Sequence, residues 1–180
     1  MSLKITRRLF IQYSSTFAIG ALLIIGCTQT PSPHNGPFDE KSTGEEVTKG
    51  LDLSGKTILI TGVNSGLGYE TMRVLAMRGA HIIGLARNME KAKEACDSVK
   101  GKTTPVACEL TDFNSIVAST KTIKELNKPI DVLICNAGIM ELPKLEQIYG
   151  IEKQFVVNYL GHFILVNRLL DQVKPLNKVV

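Results

Sequence analysis

The chain has 180 residues, of which 44% are hydrophobic and 21% are charged, as in one folded globular domain of ordinary size. Its formal net charge is +4. Residues 1–26 hold three basic residues and no acidic ones, so the remainder carries 18 basic against 17 acidic residues. This near-neutral balance argues against a nucleic-acid partner. The four cysteines lack the spacing of metal ligands, so no metal site is predicted.

Residues 1–26 have the features of an export signal. The paired Arg7 and Arg8 ahead of Leu9 are similar to a bacterial twin-arginine signal, although an ordinary basic n-region is the alternative. The apolar stretch after them is shorter than the ~20 residues that a bilayer span needs. The segment that ends at Cys27 resembles a lipobox, in which that cysteine is lipidated; an uncleaved anchor helix is the alternative. Either way, we expect an exported protein tethered to a membrane, at its periplasmic or lumenal face.

Residues 27–50 are rich in Pro, Gly, Ser, Thr and charged residues and show no apolar periodicity. This composition predicts a flexible tether. The folded domain is therefore predicted to cover residues 51–180.

Strand-like and helix-like segments alternate along this domain. Predicted strands cover residues 57–61, 81–86, 104–108 and 130–135, with a further start at 178–180. Predicted helices cover residues 67–78, 89–99, 113–126 and 150–171. Cys96, Cys108 and Cys135 fall within these segments and are expected to be small buried hydrophobic residues. The alternation predicts an α/β fold: a doubly wound, Rossmann-type parallel sheet of about four to five strands, covered by helices on both faces.

Three glycines follow the first predicted strand, at positions 62, 66 and 68. Gly62 allows a sharp turn out of the strand, Gly66 lets the backbone approach a phosphate, and Gly68 lets the next helix lie against the sheet. A helix start of this kind favours a pyrophosphate, because its backbone N–H groups are unpaired. A glycine-rich turn without a ligand is the alternative interpretation.

The second predicted strand ends at Ala86 and is followed by Arg87. An NAD site usually has an acidic residue at this point, to bind the ribose 2′-hydroxyl. Here Ala86 leaves space and Arg87 can donate to a 2′-phosphate, so NADP is predicted and NAD is less favoured. The alternative is that Arg87 only faces solvent at the start of a helix.

Three motifs, in this order, resemble the short-chain dehydrogenase/reductase family and its retinol-dehydrogenase-like branch. Residues 61–68 match the family's TGxxxGxG loop, residues 135–138 match its NAG element, and residues 155–163 are similar to its fourth helix. The resemblance implies an oxidoreductase that passes hydride between a nicotinamide cofactor and an alcohol or carbonyl. A small, lipophilic alcohol, aldehyde or ketone is the implied substrate, and a full-length form can be oligomeric.

The resemblance also implies roles for particular residues. Asn158 matches the helix asparagine that organises the catalytic lysine through water. Glu109 stands where the family usually has an aspartate, so its contact with the adenine is a departure. The residues implied to contact the cofactor are Thr61, Gly62, Asn64, Ser65, Gly66, Leu67, Gly68, Arg87, Glu109, Leu110, Asn136, Ala137 and Gly138.

The family's catalytic serine and its Tyr-x-x-x-Lys pair follow the fifth strand, which is expected to begin at residues 178–180. Tyr149 and Lys153 have the right spacing, but they precede Asn158, and Gly150 interrupts the helix that the pair requires. We therefore expect this chain to end before the proton-transfer residues, as a truncated or incompletely read form. A non-catalytic nucleotide-binding protein or an inert fragment is the alternative. Substrate, reaction direction and oligomeric state are left open.

Overall fold

The computed structural model describes residues 37–174. The predicted export signal, Cys27 and the predicted strand start at 178–180 lie outside the described residues. Residues 37–42 belong to a separate unit, in which the Ser42 N–H donates to the Asp39 carbonyl oxygen at 3.2 Å. No helix within residues 37–174 is long and apolar enough to cross a membrane.

From Thr43 onward, the unit is built on four parallel strands. They are β1 (Thr57–Thr61), β2 (His81–Ala86), β3 (Lys102–Ala107) and β4 (Val132–Ile134). Their order in the sheet is β3-β2-β1-β4, and every neighbouring pair is parallel. Chain order reverses between β1 and β4, which is the switch point where ligands bind in sheets of this type.

Helices cover both faces of this sheet. The first four are α1 (Gly44–Val47), α2 (Gly66–Met77), α3 (Met89–Asp97) and α4 (Phe113–Glu125). Ile58 and Ile60 pack with Met72 of α2 and Cys96 of α3, whereas Leu59 points to the opposite face. Because side chains alternate along a strand, one buried strand serves two separate cores. The predicted doubly wound α/β fold is confirmed.

Helix α1 lies within the segment predicted to be a tether. Thr43 and Glu46 form a reciprocal capping box at its start. Glu45 contacts the guanidinium of Arg73 on α2 at 2.8 Å, and the Glu45 carbonyl oxygen accepts from Arg78 at 2.8 Å. Helix α1 is therefore attached to the domain through Arg73 and Arg78.

The predicted continuous helix over residues 150–171 is wrong in its first part. A two-stranded hairpin, β5 (Gln147–Ile148) and β6 (Ile151–Glu152), comes first. Tyr149 and Gly150 form its turn with φ of +56° and +73°, which a right-handed helix cannot accommodate. Three segments follow without a break: α5 (Lys153–Phe155), a π-helical turn (Val156–Gly161) and α6 (His162–Leu169).

Two of the three described cysteines are buried, as predicted. Cys96 and Cys108 are 1% and 5% exposed, and burial raises the pKa of both thiols. Cys135 is exposed, because β4 ends at Ile134 and residue 135 already belongs to the following loop. The prediction of a buried strand position is wrong there.

Candidate functional site

A cavity of about 580 Å³ opens where the carboxyl ends of the four strands meet. Twelve of the thirteen residues that the resemblance assigned to the cofactor line it, Gly66 being the exception. The wall also includes residues that the sequence reasoning did not assign to the cofactor: Leu85, Ala86, Cys108, Thr111, Ile139, Leu142, Lys153 and Val157. One edge of the sheet therefore brings together segments that are far apart in sequence.

The glycines of the loop after β1 have different geometric roles. Gly62 turns the chain with φ of +74°, and an added Cβ there would lie 3.0 Å from the Ala137 backbone. A Cβ at Gly68 would overlap the Gly62 carbonyl oxygen, so only glycine allows α2 to approach β1 this closely. Gly66 has φ of +58° but open space where a Cβ would be. The backbone at Gly66 is thus sterically open, between the cavity-lining residues Ser65 and Leu67.

The start of α2 lacks the capping hydrogen bond and the acidic residues that usually stabilise a helix N-terminus. Ser65 is at the N-cap position, yet its side chain makes no capping hydrogen bond, and no acidic residue lies in the first turn. The positive end of the helix dipole and the free N–H groups of the first turn therefore have neither a capping side chain nor an acidic residue of that turn beside them. A bound phosphate would supply both the charge and the acceptors.

Thr61 connects the end of β1 to the loop after β4. Its hydroxyl oxygen accepts from the N–H of Asn136 at 3.0 Å and of Ala137 at 2.9 Å. In return, the Asn136 carboxamide donates to the Thr61 carbonyl oxygen at 2.9 Å. These bonds use the backbone N–H and the side-chain NH2 of Asn136 to hold the cavity wall together.

Arg87 lies at the end of β2, between Ala86 and the α3 N-cap Asn88, whose side chain accepts from the Lys91 N–H at 2.9 Å. The Arg87 side chain is exposed at the cavity and has no hydrogen-bond or ion-pair partner among residues 37–174. Ala86 is small and buried at this point. The guanidinium therefore has its full set of donors available to an anion at the cavity rim.

The Glu109 carboxylate forms hydrogen bonds within its own loop, to Thr111. Its carboxylate accepts from the Thr111 N–H at 3.0 Å and from the Thr111 hydroxyl at 2.9 Å, while its own N–H donates to Ser115 at 3.0 Å. The neighbouring Leu110 is buried against Gly161, where an added Cβ would lie 2.8 Å from the Leu110 carbonyl oxygen. The departure at Glu109 thus stabilises the loop after β3, on the cavity wall.

Asn158 does not line the cavity, although it lies directly behind the wall. Its carboxamide accepts from the Ile139 N–H at 2.9 Å and donates to the Ile139 carbonyl oxygen at 2.8 Å. It belongs to the π-helical turn, where one extra residue per turn redirects the backbone carbonyls. The side chain thereby fixes the segment that follows Gly138, and its predicted part in catalysis stays a prediction.

The structure explains why Tyr149 and Lys153 do not form a catalytic pair. Tyr149 lies in the hairpin turn and stacks on Phe113 with ring centroids 4.7 Å apart. Lys153 begins α5 and pairs with Glu146 at 2.7 Å. The two residues are on different elements, so the lysine cannot act from one helical turn below the tyrosine, as the rejected interpretation would require.

The sequence reasoning quoted His162 within a motif but assigned it no role. It is 7% exposed, and its ring lies 2.9 Å from the Thr61 hydroxyl. Burial lowers the pKa of His162 below its ordinary value. Its position four residues after Asn158, on one helical face, was the available signal. Among residues 37–174, no group of three or more His, Cys, Asp or Glu side chains could hold a metal ion.

Comparison with known proteins identifies the family. The family model described as short chain dehydrogenase matches residues 56–178. The human WW domain-containing oxidoreductase is 38% identical over 139 residues, covering 74% of this chain and 34% of that protein. Human retinol dehydrogenase 13 is 39% identical over 137 residues, covering 73% of this chain and 41% of that protein. The chain belongs to the short-chain dehydrogenase/reductase family.

Solved structures with the same fold superpose on this chain. An uncharacterized protein from Mycobacterium paratuberculosis superposes with a TM-score of 0.60 at 37% identity, covering 69% of this chain and 45% of its own. A 3-ketoacyl-(acyl-carrier-protein) reductase from Brucella melitensis, solved with NADH, gives a TM-score of 0.58 at 25% identity, covering 67% and 51%. This short-chain dehydrogenase/reductase chain spans about a third of the length of the human WW domain-containing oxidoreductase and about two fifths of that of human retinol dehydrogenase 13.

Proposed function

We propose that the chain binds NADP and forms the cofactor half of a short-chain dehydrogenase/reductase acting on alcohols and carbonyls. The observation that carries this proposal is that two groups able to bind an anion lie at the same cavity. One is the uncapped start of α2, where Ser65, Leu67 and Gly68 line the cavity. The other is Arg87, which has no partner within the described part of the chain and lies beside the small Ala86.

The residues of the cavity fit a dinucleotide in charge and in shape. The free N–H groups at the start of α2 would bind the pyrophosphate, and Arg87 would bind the 2′-phosphate with its planar set of donors. Leu110 and Val157 supply apolar wall, as a flat base requires. When bound, the nicotinamide group supplies hydride transfer, and the chain's part is to bind and orient it.

Titration of the full 180-residue chain with NADPH and with NADH tests this proposal. Replacing Arg87 with serine removes charge-assisted hydrogen bonds, which are worth about 1.5–3 kcal/mol. NADPH affinity should therefore fall ~10- to 100-fold, with NADH affinity unchanged. Lys93→Ser is the matched control, because it removes one exposed positive charge from α3 outside the cavity. Equal binding of NADH and NADPH by the unaltered chain would contradict the preference for NADP.

A second candidate function is cofactor binding without turnover. It is favoured by the separation of Tyr149 and Lys153 onto a hairpin turn and a short helix, which leaves the one Tyr-x-x-x-Lys spacing in this chain without catalytic geometry. Mixing the chain with NADPH and a panel of lipophilic aldehydes and ketones discriminates the two. Turnover comparable to that of a full-length relative would rule out the second candidate.

We also propose that the protein is exported and held at a membrane, through a lipid on Cys27 or through an uncleaved signal anchor. The support is the sequence of residues 1–27. A lipophilic substrate would suit such a location. Metabolic labelling with a radioactive fatty acid tests the first route: the label should disappear in Cys27→Ala. Label that persists in this variant would place the lipid at a residue other than Cys27, and absence of label in the unaltered chain would leave the signal anchor.

A further inference from the structure

A buried histidine connects three elements that surround the cavity. His162 begins α6, and its Nε2 atom lies 2.9 Å from the hydroxyl oxygen of Thr61 at the end of β1. Its Nδ1 atom lies 3.3 Å from the carbonyl oxygen of Asn158 in the π-helical turn. Through Thr61, the ring also reaches the loop that follows β4.

The partners of Thr61 determine which ring nitrogen carries the proton. The Thr61 hydroxyl oxygen already accepts from the N–H groups of Asn136 and Ala137, at 3.0 Å and 2.9 Å. A hydroxyl oxygen has two lone pairs and one hydrogen. Both acceptor positions are therefore used, and the hydrogen is left to donate to Nε2 of His162. The imidazole is then neutral, with its hydrogen on Nδ1, from which it donates to the Asn158 carbonyl oxygen.

The π-helical turn makes this second bond possible. In a regular α-helix, the carbonyl of Asn158 would accept from the backbone N–H of His162. Here that N–H donates to the Tyr159 carbonyl oxygen, and the ring Nδ1 of His162 contacts the Asn158 carbonyl. The same turn directs the Asn158 side chain to the backbone of Ile139. Both ends of Asn158 are thus held, one by the loop after β4 and one by the imidazole.

We propose that His162 is a positioning residue for the cofactor loop. As the neutral Nδ1–H tautomer, it accepts the Thr61 hydroxyl hydrogen and keeps the ends of β1 and β4 and the Asn158 turn in one arrangement. The part of this inference that concerns cofactor affinity rests on the proposed function. The part that concerns the tautomer and its bond to Thr61 does not.

A second buried histidine provides the matched control. His81 is also 7% exposed, but it lies at the start of β2, at the amino ends of the strands, whereas the cavity lies at their carboxyl ends. Its Nε2 lies 2.8 Å from the Thr104 hydroxyl, and its Nδ1 has no partner among residues 37–174. Replacing either histidine by leucine removes a buried imidazole, yet only the His162 change releases Thr61.

Ring-nitrogen NMR of the full chain, labelled with 15N in its histidine side chains, tests the tautomer directly. At about pH 7, His162 should carry its proton on Nδ1, with Nε2 unprotonated. Thr61→Ser keeps the hydroxyl and should leave the Nε2 frequency in place, whereas Thr61→Val should move it. A protonated Nε2, a cationic ring, or an Nε2 frequency indifferent to Thr61→Val would overturn the proposal. This readout needs no cofactor, so it stands even if the chain binds no NADPH.

NADPH titration tests the consequence for the loop. His162→Leu should weaken binding about fivefold, the factor for one net hydrogen bond, while His81→Leu should leave it unchanged. His162→Gln keeps an oxygen acceptor for the Thr61 hydrogen and should recover most of the loss. Unchanged affinity in His162→Leu, with wild-type NADPH binding intact, would refute the positioning role. Absence of NADPH binding in the unaltered chain would instead refute the proposed function.

Discussion

Gly66 and Gly55 offer a matched test of whether the loop after β1 is built for a ligand. Both have positive φ, +58° and +78°, and in both an added Cβ would meet no atom within 4 Å. They differ in place: Gly66 begins α2 between the cavity-lining residues Ser65 and Leu67, whereas Gly55 lies before β1, at the opposite end of that strand. Alanine at either position therefore introduces the same backbone strain and no steric overlap.

The expected magnitudes follow from this geometry. A residue other than glycine in the left-handed region lowers the free energy of unfolding by about 1–2 kcal/mol. Alanine also reduces the conformational entropy of the unfolded chain, which raises the free energy of unfolding by about 0.4–1 kcal/mol. Gly66→Ala and Gly55→Ala should thus each lower the free energy of unfolding by roughly 1 kcal/mol. Under the proposed function, a methyl group at Gly66 would also crowd the backbone between the cavity-lining residues Ser65 and Leu67, where the phosphate would bind. Loss of even one charge-assisted hydrogen bond there weakens binding about tenfold or more.

Urea unfolding and NADPH titration of the two variants measure these effects separately. We expect equal losses of stability and a loss of NADPH affinity only in Gly66→Ala. Equal NADPH affinity in the two variants would refute the reasoning, because the open space at Gly66 would then have no connection with a ligand. A stability loss far larger at Gly66 than at Gly55 would contradict the premise that the site is sterically open.

Three further outcomes follow from the structure. Gly68→Ala places a Cβ against the Gly62 carbonyl oxygen, so the free energy of unfolding should fall by about 1–3 kcal/mol or more. A thermal-unfolding midpoint equal to that of the wild type would disprove the close approach of α2 to the residue after β1. Burial lowers the pKa of His81 and His162 below 6.5, so the unfolded chain binds more protons than the native one as pH falls through that value. Stability should therefore decrease from about pH 7 to pH 5, and a urea midpoint that stays level or rises over this range would contradict the neutral state of both rings. Tyr149→Phe keeps the stacking on Phe113 and should leave NADPH affinity unchanged, and a several-fold loss would place that hydroxyl at the ligand.

The parts of the fold that the sequence predicted well are those with strong local patterns. Ile58 to Ile60 form a short apolar run between Lys56 and the Thr61-Gly62 turn, and β1 matches its predicted bounds. Asp112 is a good N-cap residue, and its side chain accepts from the Asn114 N–H at 2.9 Å at the start of α4. Gly79 follows α2 with φ of +93°, as the end of a helix often requires.

The hairpin and the π-helical turn could not be predicted in the same way. Apolar residues from Ile151 to Leu169 keep a helical period, which conceals the extra residue of the π-helical turn. Gly150 indicated an interruption, but Tyr149 is also left-handed, and its ring stacks on Phe113, 36 positions away in sequence. Contacts between distant segments leave no local signal in either element.

The residues of the candidate site also fall into those that a local pattern predicts and those that depend on distant contacts. The glycine loop and Arg87 were predicted from spacing and residue type, and the loop after β4 from a family motif. Apart from Gly66, the residues assigned in these segments line one cavity. His162 was missed because its importance depends on the two N–H groups that already occupy Thr61. A buried hydroxyl with both lone pairs in use is visible only when the strand ends are brought together.

Chemical-shift mapping of NADPH on the 15N-labelled, full 180-residue chain tests the central claim most directly. The account predicts saturable changes at residues 62–68, at Arg87 and at residues 136–138, with no changes around Gly55 or His81. It also predicts weaker changes at Arg87 when NADH replaces NADPH. Absence of shifts at the glycine loop, or shifts confined to residues outside the cavity, would contradict the assignment of this cavity to the cofactor.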